Sequence, residues 1–474
     1  MQDPKAFREY AHSFVDWMAD YLENIDDLPV KSTVKPGEIL SRIPSSPPLQ
    51  PEGMDRIFRD FKKDIIPGMT HWQSPNFFAY FPANSSFPSL LAEMLTATLG
   101  AQCMVWETSP AAAELEEAMM NWLKQMTGIP GHFHGVIQDT ASTATLAALL
   151  SAREHHTRFA INSNGFDSDN YRVYCSSETH SSIDKAVKIA GFGQRNLVKV
   201  NVDDRFRMDP EKLEDAIRTD LDAGKKPICI IATLGTTGST AIDPLDKIAA
   251  IASKYQIWLH VDAAFAGTAL LLDEYKWMIR GIEQVDSFVF NPHKWMFTNF
   301  DCSAYFVKDK ELLIHTFSVN PEYLRTKSAG KVNDYRDWGI PLGRRFRALK
   351  LWFVIRSFGV DGLVEKIRQH IDLAAQLESW VHADAQFEVI TPRTLNLVCF
   401  RYRPAGMNDM GSLNVLNEKL LHALNGSGKV YLSHTKLNGI YTLRMVTAQT
   451  RVDAQHVREA WEFIKKTAAQ LERN

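Results

Sequence analysis

The spacing of apolar residues changes twice along this chain, and each change marks a different kind of element. Near the start, Phe7, Tyr10, Phe14, Trp17, Met18 and Tyr21 recur mostly three or four positions apart, the period of an amphipathic helix. A proline-rich connection runs from Pro36 to Pro51 and contains Ser45-Ser46-Pro47-Pro48, a breaker signal. A second helix is predicted from Met54 to Ile66. These two helices carry little core of their own, so they are expected to pack against something else, such as a partner subunit.

Between residues 85 and 360 the pattern becomes short apolar runs at Val136–Gln138, Arg172–Cys175, Ile228–Thr233, Ile257–Val261, Ser287–Phe290 and Ser303–Val307. They are nearly continuous and rich in β-branched residues, as in a parallel sheet covered on both faces. Helical spacing lies between them, for example over Thr143–His155, Ile183–Ala190 and Pro210–Ala223. After residue 360 the order reads as α+β, with helices at Val364–His382, Ser412–Leu424 and Ala454–Gln470 and strands at Leu395–Tyr402, Lys429–Ser433 and Ile440–Met445. The predicted class is α/β with a mainly parallel central sheet. Three parts are expected: an N-terminal helical segment 1–84, a large domain 85–360 and a small α+β domain 361–474.

Composition narrows the function classes. At 474 residues the chain is long enough for two or three domains with a large core. The formal net charge of −3 gives no electrostatic case for nucleic acid or an anionic membrane. No run reaches the ~18 apolar residues of a membrane helix, and Met1-Gln2-Asp3-Pro4-Lys5 holds no signal-peptide core. Cys103, Cys175, Cys229, Cys302 and Cys399 are scattered without a Cys-x-x-Cys pair, and Cys229 and Cys399 lie in apolar strand-like runs, as suits reduced core thiols. A cytoplasmic protein is expected.

The chemistry concentrates at strand ends. Ser287-Phe288-Val289-Phe290-Asn291-Pro292-His293-Lys294-Trp295 puts a lysine just past an apolar run. A buried lysine is costly unless its charge is used or removed, and a covalent imine to an aldehyde cofactor removes it. Upstream, Trp258-Leu259-His260-Val261-Asp262-Ala263-Ala264-Phe265-Ala266-Gly267 ends a strand in an aspartate, 32 positions before Lys294. A cofactor with a pyridine nitrogen needs such a carboxylate to keep that nitrogen protonated, and Ala264 leaves room for a flat ring. Together they point to pyridoxal phosphate.

Three more exits fit the same crevice. Asp139-Thr140-Ala141-Ser142-Thr143-Ala144 opens a helix with small and hydroxyl residues, which suits a phosphate, although Ser142 would equally serve as a plain helix cap. Glu178-Thr179-His180-Ser181-Ser182 brings an imidazole able to stack on a ring. Thr233-Leu234-Gly235-Thr236-Thr237-Gly238 adds hydroxyls. Exits of parallel strands converge on one ligand crevice. His132, His134, His155 and His156 lack cysteine or carboxylate partners at ligand spacing, so they are read as surface histidines and no metal is expected.

With these residues assembled, the chain resembles the group II pyridoxal-phosphate-dependent amino-acid decarboxylases, specifically those acting on aromatic L-amino acids. The resemblance runs from about Phe7 to the end. It rests on His71-Trp72-Gln73-Ser74-Pro75, Phe77-Phe78-Ala79-Tyr80-Phe81-Pro82, Ser109-Pro110-Ala111, His260-Val261-Asp262-Ala263-Ala264, Asn291-Pro292-His293-Lys294-Trp295, and Asp334-Tyr335-Arg336 through Leu342-Gly343-Arg344-Arg345-Phe346-Arg347. It implies the fold-type I architecture and a homodimer with its active site at the interface, clasped by the N-terminal helices. Lys294 would carry the cofactor, Asp262 pair with its ring nitrogen and His180 stack on the ring. Ala141, Ser142 and Asn291 would hold the phosphate, Thr237 the other face of the ring, and His293 would be a further cofactor contact.

The resemblance makes Tyr323, in the loop Ser318–Asn333, the catalytic tyrosine of a mobile lid and, supported by His180, the donor of a proton to the substrate Cα. A Phe at that place, or an Asn in place of the histidine, accompanies aldehyde synthesis in related proteins, so Tyr323 and His180 favour simple decarboxylation. Trp72, Tyr80, Phe81, Pro82 and Met104 would form an apolar slot for an aromatic side chain, though without the resemblance ordinary core packing is the better reading of such a cluster. Gly343 matches a glycine of indole-preferring plant members and points to tryptophan. Ala83, Gln102 and Met104 depart from the animal pattern. The alternatives are an aromatic aldehyde synthase on the same scaffold, a glutamate or histidine decarboxylase, and a non-catalytic scaffold, against which the intact Lys294, Asp262 and His180 set argues.

Overall fold

The structure, a computed structural model, describes residues 3–168, 170–319 and 331–472. These residues form two compact units, one of Ala83–Asp372 with Thr391–Leu397, the other of Met1–Pro82, Leu373–Ile390 and Val398–Asn474.

The larger unit is built on seven strands: β1 (His134–Gln138), β2 (Tyr171–Ser176), β3 (Leu197–Val200), β4 (Lys226–Thr233), β5 (Trp258–Asp262), β6 (Ser287–Phe290) and β7 (Ser303–Val307). Their order is β1-β7-β6-β5-β4-β2-β3. The pairs β2–β3, β2–β4, β4–β5 and β5–β6 are parallel, whereas β7 runs antiparallel to both β6 and β1. The six predicted runs are all strands, and β3 is an addition. Its pattern is half-polar at an edge, Leu197 and Val200 buried and Lys199 exposed, so it lacks the continuous apolar signal. Residues 291–302, which separate β7 from β6, hold the short helical turn Pro292–Trp295 and no helix long enough to carry a parallel crossover.

Helices cover this sheet because their small residues allow close approach. Ala141–Thr157 buries Ala144, Ala147, Ala148 and Ala152 against Val136, Val173, Ile231 and Val289. Pro110–Thr127 and Phe87–Leu99 also belong to this unit, each opened by a proline in its first turn and closed by a left-handed glycine, Gly128 and Gly100.

The second unit holds a four-stranded sheet of β8 (Phe387–Val389), β9 (Leu397–Tyr402), β10 (Ser433–Leu437) and β11 (Ile440–Val446), in the order β10-β11-β9-β8. The predicted strand Lys429–Ser433 is a correction: the ladder begins at Ser433. The Asn425 side chain binds both the N–H and the carbonyl of Leu432, and Tyr431 bridges to the Asn76–Phe78 stretch instead. The Pro4–Glu23 helix forms as predicted and has no buried residue; Phe14 stacks on Phe58, and Trp17 meets Phe58 and Phe61 edge-on. The predicted helix Met54–Ile66 is α-helical only over Met54–Asp60, continuing as a wider turn to Ile65. The helix predicted from Val364 starts earlier, in a helical run Arg347–Ala383 broken at Gly359, whose φ is 66°.

All five cysteines are buried and form no disulfide among the described residues. Among the described residues no helix is long and apolar enough to cross a membrane. His132, His155 and His156 are exposed, whereas His134 opens β1 half-buried.

Candidate active site

The carboxyl ends of β1, β2, β4, β5 and β6 share one edge of the large sheet, and the predicted cofactor residues sit on the loops leaving them. Asp262 ends β5, with Thr233 of β4 on one side and Val289 of β6 on the other. It is 6% exposed, and its carboxylate accepts the Ala264 backbone N–H at 3.0 Å. Lys294 lies in the single helical turn Pro292–Trp295 after β6. It keeps partial access to solvent, but the protein around its amine holds the ammonium below the usual lysine range, with the Asp262 charge opposing that shift. The two groups therefore act on each other electrostatically.

His180 follows β2. The Ser182 backbone N–H donates to its Nδ1 at 3.2 Å, and Ser182 Oγ lies 2.9 Å from the same nitrogen. The neutral ring therefore carries its proton on Nε2. Desolvation and then the Lys294 charge push its pKa down, with Asp262 opposing. Lys294, Asp262 and His180 thus form one electrostatic group.

At β1, Thr140 is the helix cap, its hydroxyl accepting the Thr143 N–H at 3.3 Å. Ser142 is not the cap, and stays exposed beside half-buried Ala141 at the N-terminus. Asn291 is buried, and its Oδ1 accepts the Ser303 hydroxyl at 2.8 Å, which orients its amide N–H groups away from that contact. Thr237 lies half-buried in the turn after β4. Gly235 in that turn has φ +86°, and a Cβ there would stand 2.7 Å from the Cβ of Ala266, so only glycine lets the β4 exit lie against the Asp262 segment. The same holds at Gly267, where a Cβ would fall 2.3 Å from Phe290 Cβ. His293 is buried, its Nδ1 accepting the Cys302 N–H at 2.9 Å and its pKa pushed down to about 3 by burial.

The predicted substrate residues fall into separate groups. In the second unit, Trp72 and Tyr80 stack with centroids 6.0 Å apart, and the Tyr80 and Tyr431 hydroxyls lie 3.2 Å apart. Trp72 and Tyr80 are 38% and 47% exposed, so neither is ordinary core. Tyr80 also holds a left-handed backbone, φ 55°, a strain that commonly marks functional positions. Phe81 and Pro82 are buried, Phe81 under Arg444. In the larger unit, Met104 and Gly343 lie on two strands of chain that bind each other: Arg336 N–H donates to Met104 O, and Cys103 N–H to Arg344 O. Ala83 is half-buried at the start of the larger unit. Tyr323 lies outside the described residues.

The sequence profile of the pyridoxal-dependent decarboxylase conserved domain matches residues 36–403. The chain belongs to the pyridoxal-dependent decarboxylases. It is 44% identical over 480 residues to tryptophan decarboxylase 2 of Oryza sativa subsp. japonica, covering 99% of this chain and 96% of that protein. It is also 44% identical over 479 residues to a phenylacetaldehyde synthase of Arabidopsis thaliana, covering 99% and 97%. The crystal structure of Catharanthus roseus tryptophan decarboxylase in complex with L-tryptophan superposes with a TM-score of 0.93, 40% identity and 99% coverage of both chains. This decarboxylase is a carboxy-lyase that uses pyridoxal phosphate, on the fold-type I architecture that the resemblance implies.

Several residues support the decarboxylase site through partners far away in the chain. Ser303 opens β7 and reaches Asn291 because β7 runs backwards, putting its first residue at the carboxyl edge. Asp243, buried far from any apolar pattern, accepts the N–H groups of Thr233 and Met208 at 2.7 Å each and is pushed up to about 7 by burial. Glu116 and Arg344 form a buried pair at 2.7 Å, with Glu116 also accepting the Ile137 N–H of β1. His260 lies between Thr145 and Ser287, at 3.2 and 2.9 Å, and burial pushes it down to about 4. Such long-range partners leave no local signal.

Proposed function

We propose that this chain decarboxylates aromatic L-amino acids, with tryptophan preferred, to the corresponding arylalkylamine and CO2. The observation that carries the reading is the coupling of Lys294, Asp262 and His180, which follow or end β6, β5 and β2 at one edge of the sheet. The residues fit pyridoxal phosphate. An amine held below the lysine range is available as a nucleophile for its aldehyde, a buried carboxylate suits its ring nitrogen, and a helix N-terminus with Ser142 and the Asn291 amide suits its phosphate. When bound, the cofactor supplies an electron sink for the pair released as CO2 leaves.

The chain's own residues do the rest. Asp262, fixed in orientation by the Ala264 N–H, would hold a proton at the ring nitrogen. His180, presenting Nε2–H, and Thr237 would contact the ring, Ala264 would leave room for it, and His293 braces the lysine turn through the Cys302 N–H. Tyr323 is assigned the return of a proton to the substrate Cα. Trp72, Tyr80, Phe81, Pro82, Ala83, Met104 and Gly343 are assigned to the substrate slot, and the absence of a side chain at Gly343 supports an indole. A site that excludes oxygen yields amine; one that admits it yields aldehyde. The Arabidopsis synthase is as similar as the rice decarboxylase, so the choice of amine rests on Tyr323 and His180.

A homodimer is part of the proposal. It is supported by Phe87, Leu91, Leu95 and Leu99, which form an exposed apolar stripe on one helix face, between 46% and 63% exposed, and by the uncovered Pro4–Glu23 helix. A cytoplasmic setting is supported by the buried thiols, which form no disulfide among the described residues. The test is a product assay in air with L-tryptophan, L-phenylalanine, L-tyrosine and L-dihydroxyphenylalanine, quantifying amine, aldehyde and peroxide. Amine without matching peroxide, fastest from tryptophan, is expected. Aldehyde with stoichiometric ammonia and peroxide overturns the reading in favour of the synthase.

A further inference from the structure

The peptide of Lys294 is gripped by a residue outside every motif above. The turn Pro292–Trp295 is four residues long, and the last four carbonyls of any helix lack partners inside it. Two of its carbonyls are taken by Asn84. The Asn84 backbone N–H donates to His293 O at 3.1 Å, and its side-chain Nδ2 donates to Lys294 O at 2.7 Å. Asn84 is 1% exposed. The contact continues along the chain: Ser86 Oγ donates to Phe297 O at 2.7 Å, and the Asn299 N–H donates to Ser89 Oγ at 2.7 Å. The lysine turn is therefore held on its carbonyl side by residues 84–89, and at its start by Ser303 on Asn291.

We propose that Asn84 is a positioning residue: its amide fixes the Lys294 peptide and, through it, where the amine reaches. The inference rests on Lys294 being the cofactor-bearing lysine. A lysine side chain has four rotatable bonds, so rotation of its peptide swings the amine. A misplacement of about 1 Å at a reacting group costs on the order of 100-fold in rate. Removing the Asn84 side chain removes the Nδ2 hydrogen bond to the Lys294 carbonyl, and the turn is then held less firmly in its orientation.

The test compares wild-type holoenzyme with Asn84→Ala and Asn84→Asp. The readouts are the visible cofactor absorption band, the rate of cofactor uptake by the cofactor-free protein, and kcat and KM across pH. Asn84→Ala is expected to slow uptake and lower kcat about tenfold, the ratio matching one lost hydrogen bond, with KM little changed. Asn84→Asp keeps the shape, and only its protonated form donates to Lys294 O. Its kcat relative to wild type is therefore highest at low pH and falls as pH rises, while the ratio for Asn84→Ala stays flat. A packing role alone gives flat ratios for both. Wild-type kcat and uptake in Asn84→Ala, or equal ratios for both variants at every pH, overturn the proposal. If Asn84→Asp does not fold, uptake and the kcat–KM split of Asn84→Ala still decide. A wild-type protein with no visible band and no amine product means instead that the reading of Lys294 has failed.

Discussion

Phe265 and Trp295 stack face to face, ring centroids 4.9 Å apart and planes 8° from parallel. Phe265 lies three residues past Asp262, and Trp295 directly follows Lys294. The stack therefore ties the segment bearing the carboxylate to the turn bearing the amine. It is buried and is fixed in turn by the Trp295 Nε1–H, which donates to His370 Nδ1 at 3.0 Å. Trp295→Ala is expected to cost about 3–5 kcal/mol of stability, as for other buried aromatic truncations, and to weaken cofactor retention. Urea unfolding of the cofactor-free protein and dialysis of the holoenzyme measure the two effects.

Lys294→Ala is expected to abolish the covalent cofactor band and reduce amine formation to background. The lowered pKa of Lys294 has a sign that uptake kinetics read. Neutral amine appears as pH rises through the folded value, which lies below the ordinary lysine value of about 10.4. Uptake of the cofactor by wild-type apoprotein should therefore accelerate with pH and level off below that value. A midpoint at or above the ordinary value contradicts the burial argument.

Asp262→Asn replaces a charge by a neutral amide of the same shape, whose Oδ1 still accepts the Ala264 N–H. The cofactor is expected to bind. Loss of one preorganised charge should lower kcat by roughly 10²–10³. Steady-state kinetics with spectroscopic confirmation of occupancy checks this, and full activity in the variant removes Asp262 from the mechanism.

Two buried histidines predict acid sensitivity. His260 and His293 are held down to about 4 and about 3 by burial. Below the unfolded histidine value of about 6.5 the unfolded chain binds more protons at these positions than the folded one. Their contribution to stability is thus full above about 6.5 and is lost as pH falls towards the folded values. Asp243, raised to about 7, has the opposite sign: its contribution is present at low pH and lost as pH rises between the unfolded aspartate value and about 7. In urea titrations, His260→Asn should flatten the acid limb, and Asp243→Asn should remove the opposing slope.

Gly343→Ser tests substrate choice. A Cβ at 343 would lie 3.2 Å from Nε2 of Gln102, whose Oε1 accepts the Arg344 N–H at 2.7 Å. A serine must therefore displace or bond that amide. The expected outcome is a fall in kcat/KM for tryptophan relative to tyrosine of about 10- to 100-fold, the range for small steric changes in a pocket. An unchanged ratio takes position 343 out of the substrate slot.

The features legible in the order of residues are local. A continuous apolar run ending in Asp262, or in Asn291-Pro292-His293-Lys294, reports a buried strand and its exit, because burial of both faces leaves no polar alternation and the first polar residue marks the sheet edge. The parallel core, the lysine and its aspartate were legible for that reason, and Trp72 and Tyr80 were nameable as aromatics. The tertiary structure alone decided the rest. The reversal of β7 depends on how twelve intervening residues pack, and only that reversal brings Ser303 to Asn291. Thr140 rather than Ser142 caps the phosphate-side helix, because the backbone turns two residues earlier than composition suggests. Asn84, Asp243, Glu116 and His370 act across tens to hundreds of positions, and single polar residues in apolar surroundings carry no period. Their roles exist only once folding has brought a donor to an otherwise unpaired acceptor, or an acceptor to a donor.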